Sequence, residues 1–228
     1  MNSYWPGPLP EPSVRTLDDM RCVLANPDRS GDIPLYSMYR DLALTAGDRA
    51  YLREQNLRFD ITVIPPGTVG GEYVKTKGHY HPISPSGIGY PELYQVLAGE
   101  ALYLLQRSDL RDVVAFMAKA GEFVLIPPGY GHVTINPGME TLVMANLISA
   151  GFASEYTFYK QMQGGAYYLM EEGGWVRNSR YPVVPPVRVI PAGEVPELGI
   201  RHGRGIYEMV SRREGLSYLN SPEEVPVQ

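Results

Sequence analysis

Cysteine is nearly missing from this chain. Cys22 stands alone among 228 residues, so no intrachain disulfide can form, and a reducing compartment is the expected setting. Cationic clusters are also scarce: the net charge is −5, and Arg212-Arg213 is the densest basic spot, which excludes a nucleic-acid footprint. Small anionic substrates stay open, because a local Lys, Thr or backbone N–H can hold a phosphate in an acidic protein. No apolar run reaches membrane length; the longest, 141–153, is too short and contains Asn146. The N-terminal stretch MNSYWPGPLPEPSVRTLDD has no apolar core of the signal-peptide kind. A soluble, cytoplasmic protein with no membrane partner is expected. Histidine is rare too, with four in the whole chain, and that scarcity gives weight to where they fall.

Glycine and proline are plentiful, 24 and 21, and are spread along the chain as turns between short strands require. From Leu57 the apolar pattern takes a period of two. Leu57–Ile64, Glu72–Tyr80, Glu92–Gln106 (one long strand or a hairpin about Gly99-Glu100), Val113–Lys119, the segment from Gly121, and Thr141–Ile148 read as strands. Tyr156–Tyr168 also reads as strand, and Gly173-Gly174 as a hairpin turn. Seven or eight short strands between 57 and 160, with turn signals every eight to twelve residues, predict an antiparallel sandwich or barrel. Before them, Thr16 is a plausible N-cap with Asp18 and Asp19 in the first turn, Leu35–Leu44 leans to strand, and Gly47–Gln55 to a short helix. The expected organisation is an N-terminal arm and flanking elements over 1–56, a barrel over 57–180, and a C-terminal appendage over 181–228 that is not an independent domain.

The chemistry gathers in Lys75–Gly99, KTKGHYHPISPSGIGYPELYQVLAG. His79 and His81 lie two apart, hence on one face of a strand, and Glu92 opens the next alternating segment. Two imidazoles and a carboxylate, with a third imidazole from elsewhere, suit a divalent first-row metal that keeps open positions.

These residues resemble the cupin superfamily. Gly121, Pro127, Gly129, His132 and Asn136 follow the second cupin motif without exception, and His79-Tyr80-His81 with Glu92 and Gly99 follow the first. The first departs twice: Tyr73 stands at the place of its leading glycine, and ten residues separate His81 from Glu92 where three or four are usual. Within the superfamily, Thr76-Lys77-Gly78-His79-Tyr80-His81, Glu92-Leu93-Tyr94, Leu104-Leu105-Gln106 and Pro127–Asn136 resemble the cupin-type glucose-6-phosphate isomerases of archaea and some bacteria, over roughly Leu57 to Tyr159. The resemblance implies an all-β fold, the double-stranded β-helix or jelly-roll barrel, with a few short peripheral helices.

It also implies metal ligands at His79, His81, Glu92 and His132. One divalent ion per subunit is expected, iron or manganese first, with zinc or nickel as alternatives. Glu92 and His132 are the expected catalytic residues. Thr62, Thr76, Lys77, Gly78, Tyr94, Tyr130 and Tyr156 are the expected substrate contacts. Val133 and Ile148 stand where the family has an arginine-like position and a pocket tyrosine. The implied activity is aldose–ketose isomerisation of a small anionic sugar phosphate by a homodimer. A cupin dioxygenase or decarboxylase, and a non-catalytic sugar-binding cupin, are the rival expectations.

Overall fold

Three sheets take up the alternating segments. In the computed structural model, which describes residues 4–28 and 31–226, the strands are β1 Ser13–Thr16, β2 Pro34–Tyr39, β3 Leu57–Ile64, β4 Thr68–Val69, β5 Glu72–Tyr73, β6 Glu92–Ala98, β7 Glu100–Arg107, β8 Val113–Lys119, β9 Phe123–Ile126, β10 Tyr130–Ile135, β11 Leu142–Ser149, β12 Tyr167–Met170, β13 Gly174–Arg177 and β14 Arg188–Pro191. Parts of the expected arm and appendage, 1–3 and 227–228, and the pair 29–30 lie outside the described residues. A six-stranded sheet runs β1-β2-β3-β11-β6-β9, a second runs β10-β7-β8-β14, and a small third runs β13-β12-β5-β4. The pairings are antiparallel except β14 on β8. The protein is an all-β jelly roll carrying short helices: α1 Leu17–Met20, α2 Ala46–Glu54, α3 Thr157–Gln161 and α4 Ile206–Ser211.

Alternation decides where the apolar side chains go. On the inner side, Met38, Ile64, Val96, Met144 and the β7–β8 residues Tyr103, Leu105 and Val114 pack between the sheets. The other face of the six-stranded sheet buries Phe59, Ile61, Leu93, Val143 and Leu147 under Trp5, Leu52 and the C-terminal Ile206, Met209, Val210 and Leu219. With a cover on both faces, β11 has no exposed position, and its LVMANLIS sequence is the continuous run such burial requires.

Three expectations need correction. Glu72–Tyr80 is not one strand. After β5 the chain stays extended along β10, bridging Lys75 to Ile135 and His79 to His132, but the register slips by one residue between them. At the slip the Thr134 N–H is taken by the Thr76 hydroxyl at 2.9 Å, in the manner of a bulge beside a site. Glu92–Gln106 is neither one strand nor a hairpin. β6 pairs with β11 and β9, β7 with β8 and β10, and Gly99 (φ 78°) turns the chain from one sheet to the other. A Cβ there would lie 3.0 Å from the Thr141 carbonyl oxygen. Finally, the first part of Tyr156–Tyr168 is helix α3, which buries Tyr159 completely. Its β-forming Thr, Phe and Tyr yield to that packing. By contrast the Thr16 N-cap with Asp19 as its reciprocal partner, β2, α2 and the Gly173-Gly174 turn stand where they were expected.

Candidate active site

The extended segment carrying His79 and His81, the first residue of β6 and the middle of β10 meet inside the barrel. There the His79, His81, Glu92 and His132 donor atoms all lie within 4.8 Å of one another. Each ring is aimed by its second nitrogen or its neighbours. His81 Nδ1 is 2.8 Å from the Tyr90 carbonyl oxygen and His79 Nδ1 is 3.3 Å from that of Lys77. A carbonyl can only accept, so both rings hold their proton on Nδ1 and turn the Nε2 lone pair inward. Asn146 Nδ2 donates to Glu92 Oε1 at 2.7 Å, and the Tyr94 hydroxyl is 3.2 Å from His132 Nε2. The His81 ring also packs on Phe152, which stacks on Tyr90.

These donors fit a cation. His81 Nε2 and Glu92 Oε2 face each other at 3.2 Å, and His132 Nε2 lies 3.3 Å from the same oxygen. Both His81 Nε2 and Glu92 Oε2 are buried without a hydrogen-bond partner. A carboxylate oxygen against an imidazole lone pair is repulsive unless a proton or a metal ion stands between them. Burial holds the His79 imidazole well below its ordinary range and also lowers that of His132, which favours the neutral form of these two rings. Burial pushes the Glu92 carboxyl up, but the His132 and His81 rings at its oxygens outweigh that and hold it well below the usual carboxylate range. Three imidazoles and one carboxylate are a donor set for a divalent transition metal.

A narrow cavity of about 50 Å³ leads away from the centre. Of the expected substrate contacts, Thr62, Thr76, Lys77, Tyr94 and Tyr156 line it, with the Tyr156 ring 5.3 Å from that of His79. The Lys77 ammonium, however, donates to the Asp19 carbonyl at 2.6 Å. Gly78 and Tyr130 are not in the wall. A Cβ on Gly78 would overlap the Tyr159 ring, so barrel packing requires a glycine there. The Tyr130 hydroxyl donates to Asp112 at 2.8 Å. An open groove of about 740 Å³ beside α3 shares Ser154 and Tyr156 with the cavity.

Sequence reasoning passed over Tyr36, Arg40, Arg58, Asp60 and Asn146, all in the cavity wall. The signal for two of them was present: the period of two that selected Thr62 puts Arg58 and Asp60 on the same face of β3. Asn146 was noted only as a flaw in an apolar run. Asn136, the last residue of the second motif, serves the fold, since its side chain donates to the Ile64 and Glu140 carbonyls at 2.9 Å each. Among the described residues no helix is long and apolar enough to cross a membrane.

Comparison with known proteins agrees with this geometry. The family model "Glucose-6-phosphate isomerase (GPI)" matches residues 14–185. A glucose-6-phosphate isomerase of Thermococcus litoralis is 31% identical over 170 residues, 72% of this chain and 83% of the relative. One from Thermococcus gammatolerans is 34% identical over 134 residues, 58% and 68% of the two chains. One from Sinorhizobium medicae is 32% identical, covering 57% and 60%. Among solved structures, an oxalate decarboxylase of Bacillus subtilis aligns at 19% identity and a TM-score of 0.40, over 57% of this chain and 29% of that one, a likeness too partial to bear on function. Since the family match takes in the barrel, the four clustered donors and well over half of the sequence, the chain belongs to the glucose-6-phosphate isomerase family.

Proposed function

We propose that this chain interconverts glucose 6-phosphate and fructose 6-phosphate. The observation that carries the reading is Glu92: a buried, ionised carboxylate with one oxygen fixed by Asn146 and the other, Oε2, without a hydrogen-bond partner at the mouth of a polar cavity. Isomerisation needs a base that can remove a proton from one carbon of the open-chain sugar and return it to the next. The Glu92 carboxylate takes the C2 proton of the aldose and delivers it to C1, while the hydroxyl proton passes from O2 to O1. Atoms and electrons balance with no external oxidant. Asn146 keeps the carboxylate in one orientation through both transfers, and the Tyr94 hydroxyl is placed to donate to a sugar oxygen near His132. His79, His81, Glu92 and His132 would hold a divalent metal, iron or manganese by preference, which supplies Lewis-acid polarisation of the sugar carbonyl when bound. A cytoplasmic homodimer belongs to the same proposal.

The test is turnover of fructose 6-phosphate by purified protein, before and after EDTA, with Fe2+ or Mn2+ restored. Loss on chelation, recovery on reloading, and inactivity of His132→Ala and of Glu92→Gln, each folded, are expected. Metal-loaded protein that does not turn the sugar phosphate over would sink the assignment and move the search to other sugar phosphates, then to oxygen chemistry.

A further inference from the structure

Strand register orders the inner face of the first sheet into rows. Arg58, Ile148 and Glu92 stand in one row across β3, β11 and β6, and Asp60, Asn146 and Tyr94 in the next; Thr62 begins the third. Neighbouring rows on one face are about 7 Å apart, so the Thr62 row lies roughly 13 Å from the Glu92 row. An open-chain sugar phosphate that has its first two carbons at Glu92 and its anionic end towards Thr62 passes its middle carbons over the row of Asp60 and Asn146. Those carbons carry the hydroxyl groups by which one sugar phosphate differs from another.

Most polar atoms of the middle row are engaged. Asp60, with only 3% of its side chain exposed, accepts from Arg58 Nε at 2.9 and 2.8 Å, from Arg40 Nη1 at 3.1 Å and from the Asp41 N–H at 2.9 Å. The Tyr94 hydroxyl is at His132. Two groups keep bonding capacity. The contact of Arg58 with Asp60 runs two residues along β3, so its guanidinium leans from its own row over the middle one. Nε alone meets the carboxylate, and neither Nη makes a hydrogen bond to the described residues, which leaves four N–H donors in one planar fork. Asn146 gives Nδ2 to Glu92 at 2.7 Å, and its Oδ1 accepts from none of the described residues. Both side chains line the cavity. A hydroxyl donates and accepts at once, and a guanidinium fork beside an amide oxygen supplies both halves.

We propose that Arg58 and Asn146 bind the hydroxyl groups on the middle carbons of the substrate and so select among sugar phosphates by configuration. This rests on the sugar-phosphate reading of the site. Arg58 carries the test, because Asn146 also holds Glu92. The probes are fructose 6-phosphate and its epimers at C3 and C4, psicose 6-phosphate and tagatose 6-phosphate. The measured quantity is the preference of the protein for fructose 6-phosphate over each epimer, from kcat/KM or, where nothing is turned over, from Kd by titration calorimetry. Wild type is expected to favour fructose 6-phosphate by about 10-fold or more, since an epimer leaves a site donor or acceptor unpaired. Arg58→Gln should cut kcat/KM for fructose 6-phosphate by about 10- to 100-fold and that for at least one epimer much less, so that the preference collapses. Arg58→Lys keeps the charge, loses the fork and should lose most of the preference too. Affinity for inorganic phosphate should stay within about twofold in both variants. A merely structural role would weaken all three sugars alike and leave the preference intact.

Folded Arg58→Gln with both preferences within about twofold of wild type overturns the proposal. If Arg58→Gln does not fold, unchanged preferences in Arg58→Lys overturn it. A wild-type protein that does not distinguish the three sugars does so as well, and so does a loss of inorganic phosphate affinity that matches the loss for fructose 6-phosphate. Arg58-dependent discrimination by Kd, in a protein that turns over none of the three, would remove the isomerase reading and leave this one standing.

Discussion

At the scale of single residues, the centre is a group of lone pairs kept together by burial, and that has a consequence for stability in the absence of metal. The folded-state affinity of His79 and His132 for protons lies below the ordinary imidazole value of 6.5, and that of Glu92 below the ordinary 4.5. Between each depressed value and the ordinary one, the unfolded chain binds protons that the folded chain refuses, so unfolding is favoured as pH falls. Metal-free protein should therefore have a lower urea midpoint at about pH 5 than at about pH 7.5, and His79→Gln should flatten that slope. A midpoint that rises toward acid would contradict the burial argument. The four donors were legible in the sequence because metal ligation imposes residue types at fixed spacing. Arg58 and Asp60 share the face of Thr62 by the period of two, but their part in a cavity wall was not legible, because a charged residue on a strand ordinarily faces water. Lys77 was legible as a charge but not as a direction: its ammonium reaches α1 instead of the cavity.

The scale of elements shows what the lengthened, ten-residue segment between His81 and Glu92 does. It is a closed loop: Ser84 N–H donates to the Ile88 carbonyl at 2.8 Å, and Tyr90 N–H to that of Pro82 at 3.4 Å. Its last turn sets the Tyr90 carbonyl against His81 Nδ1, and the Tyr90 ring stacks on Phe152 at 4.7 Å. The loop that lengthens the motif thus supplies the second partner that orients one of its ligands. Phe152→Ala, which removes the stack without touching any donor, should weaken metal binding by about 10-fold or more, as losses in the outer shell of metal sites do. Competition with a chelator of known affinity would measure it, and unchanged metal affinity would mean that the loop holds its shape unaided. Where element boundaries were misread, the reason is local. The slip at Thr76 substitutes a hydroxyl for a ladder carbonyl, and α3 forms from strand-like residues because Tyr159 has a slot beside Gly78 and Gly131. Neither slot nor slip has a signature in a linear pattern.

For the whole molecule, the six-stranded sheet is covered on both faces, and the outer cover comes from the two ends of the chain. Gln95 on β6 binds the last segment twice, donating to the Arg204 carbonyl at 2.6 Å and accepting the Ile206 N–H at 2.7 Å. Ile206, Met209, Val210, Leu216, Tyr218 and Leu219 are all buried there. Burial of six such side chains is worth on the order of 10 kcal/mol, comparable to the about 5–15 kcal/mol that keeps a domain folded. Removing residues 187–228 should leave a protein that binds a hydrophobic dye and lacks a cooperative thermal transition. A truncated barrel melting like the full chain would show that the segment is an accessory. The thin apolar content of this region reads as an appendage in the sequence, yet it is concentrated on one side of α4 and the turns after it, which a composition count averages away. Trp5 stacks on Phe59 at 5.5 Å, and Tyr207 meets both rings edge-on at 5.0 Å. Two residues far apart in sequence, Trp5 and Tyr207, thus close on the same Phe59 ring. Until Tyr207 and the residues around it have been made, that face of the sheet stays a bare greasy flank, and the strands wait on a much later segment to cover them.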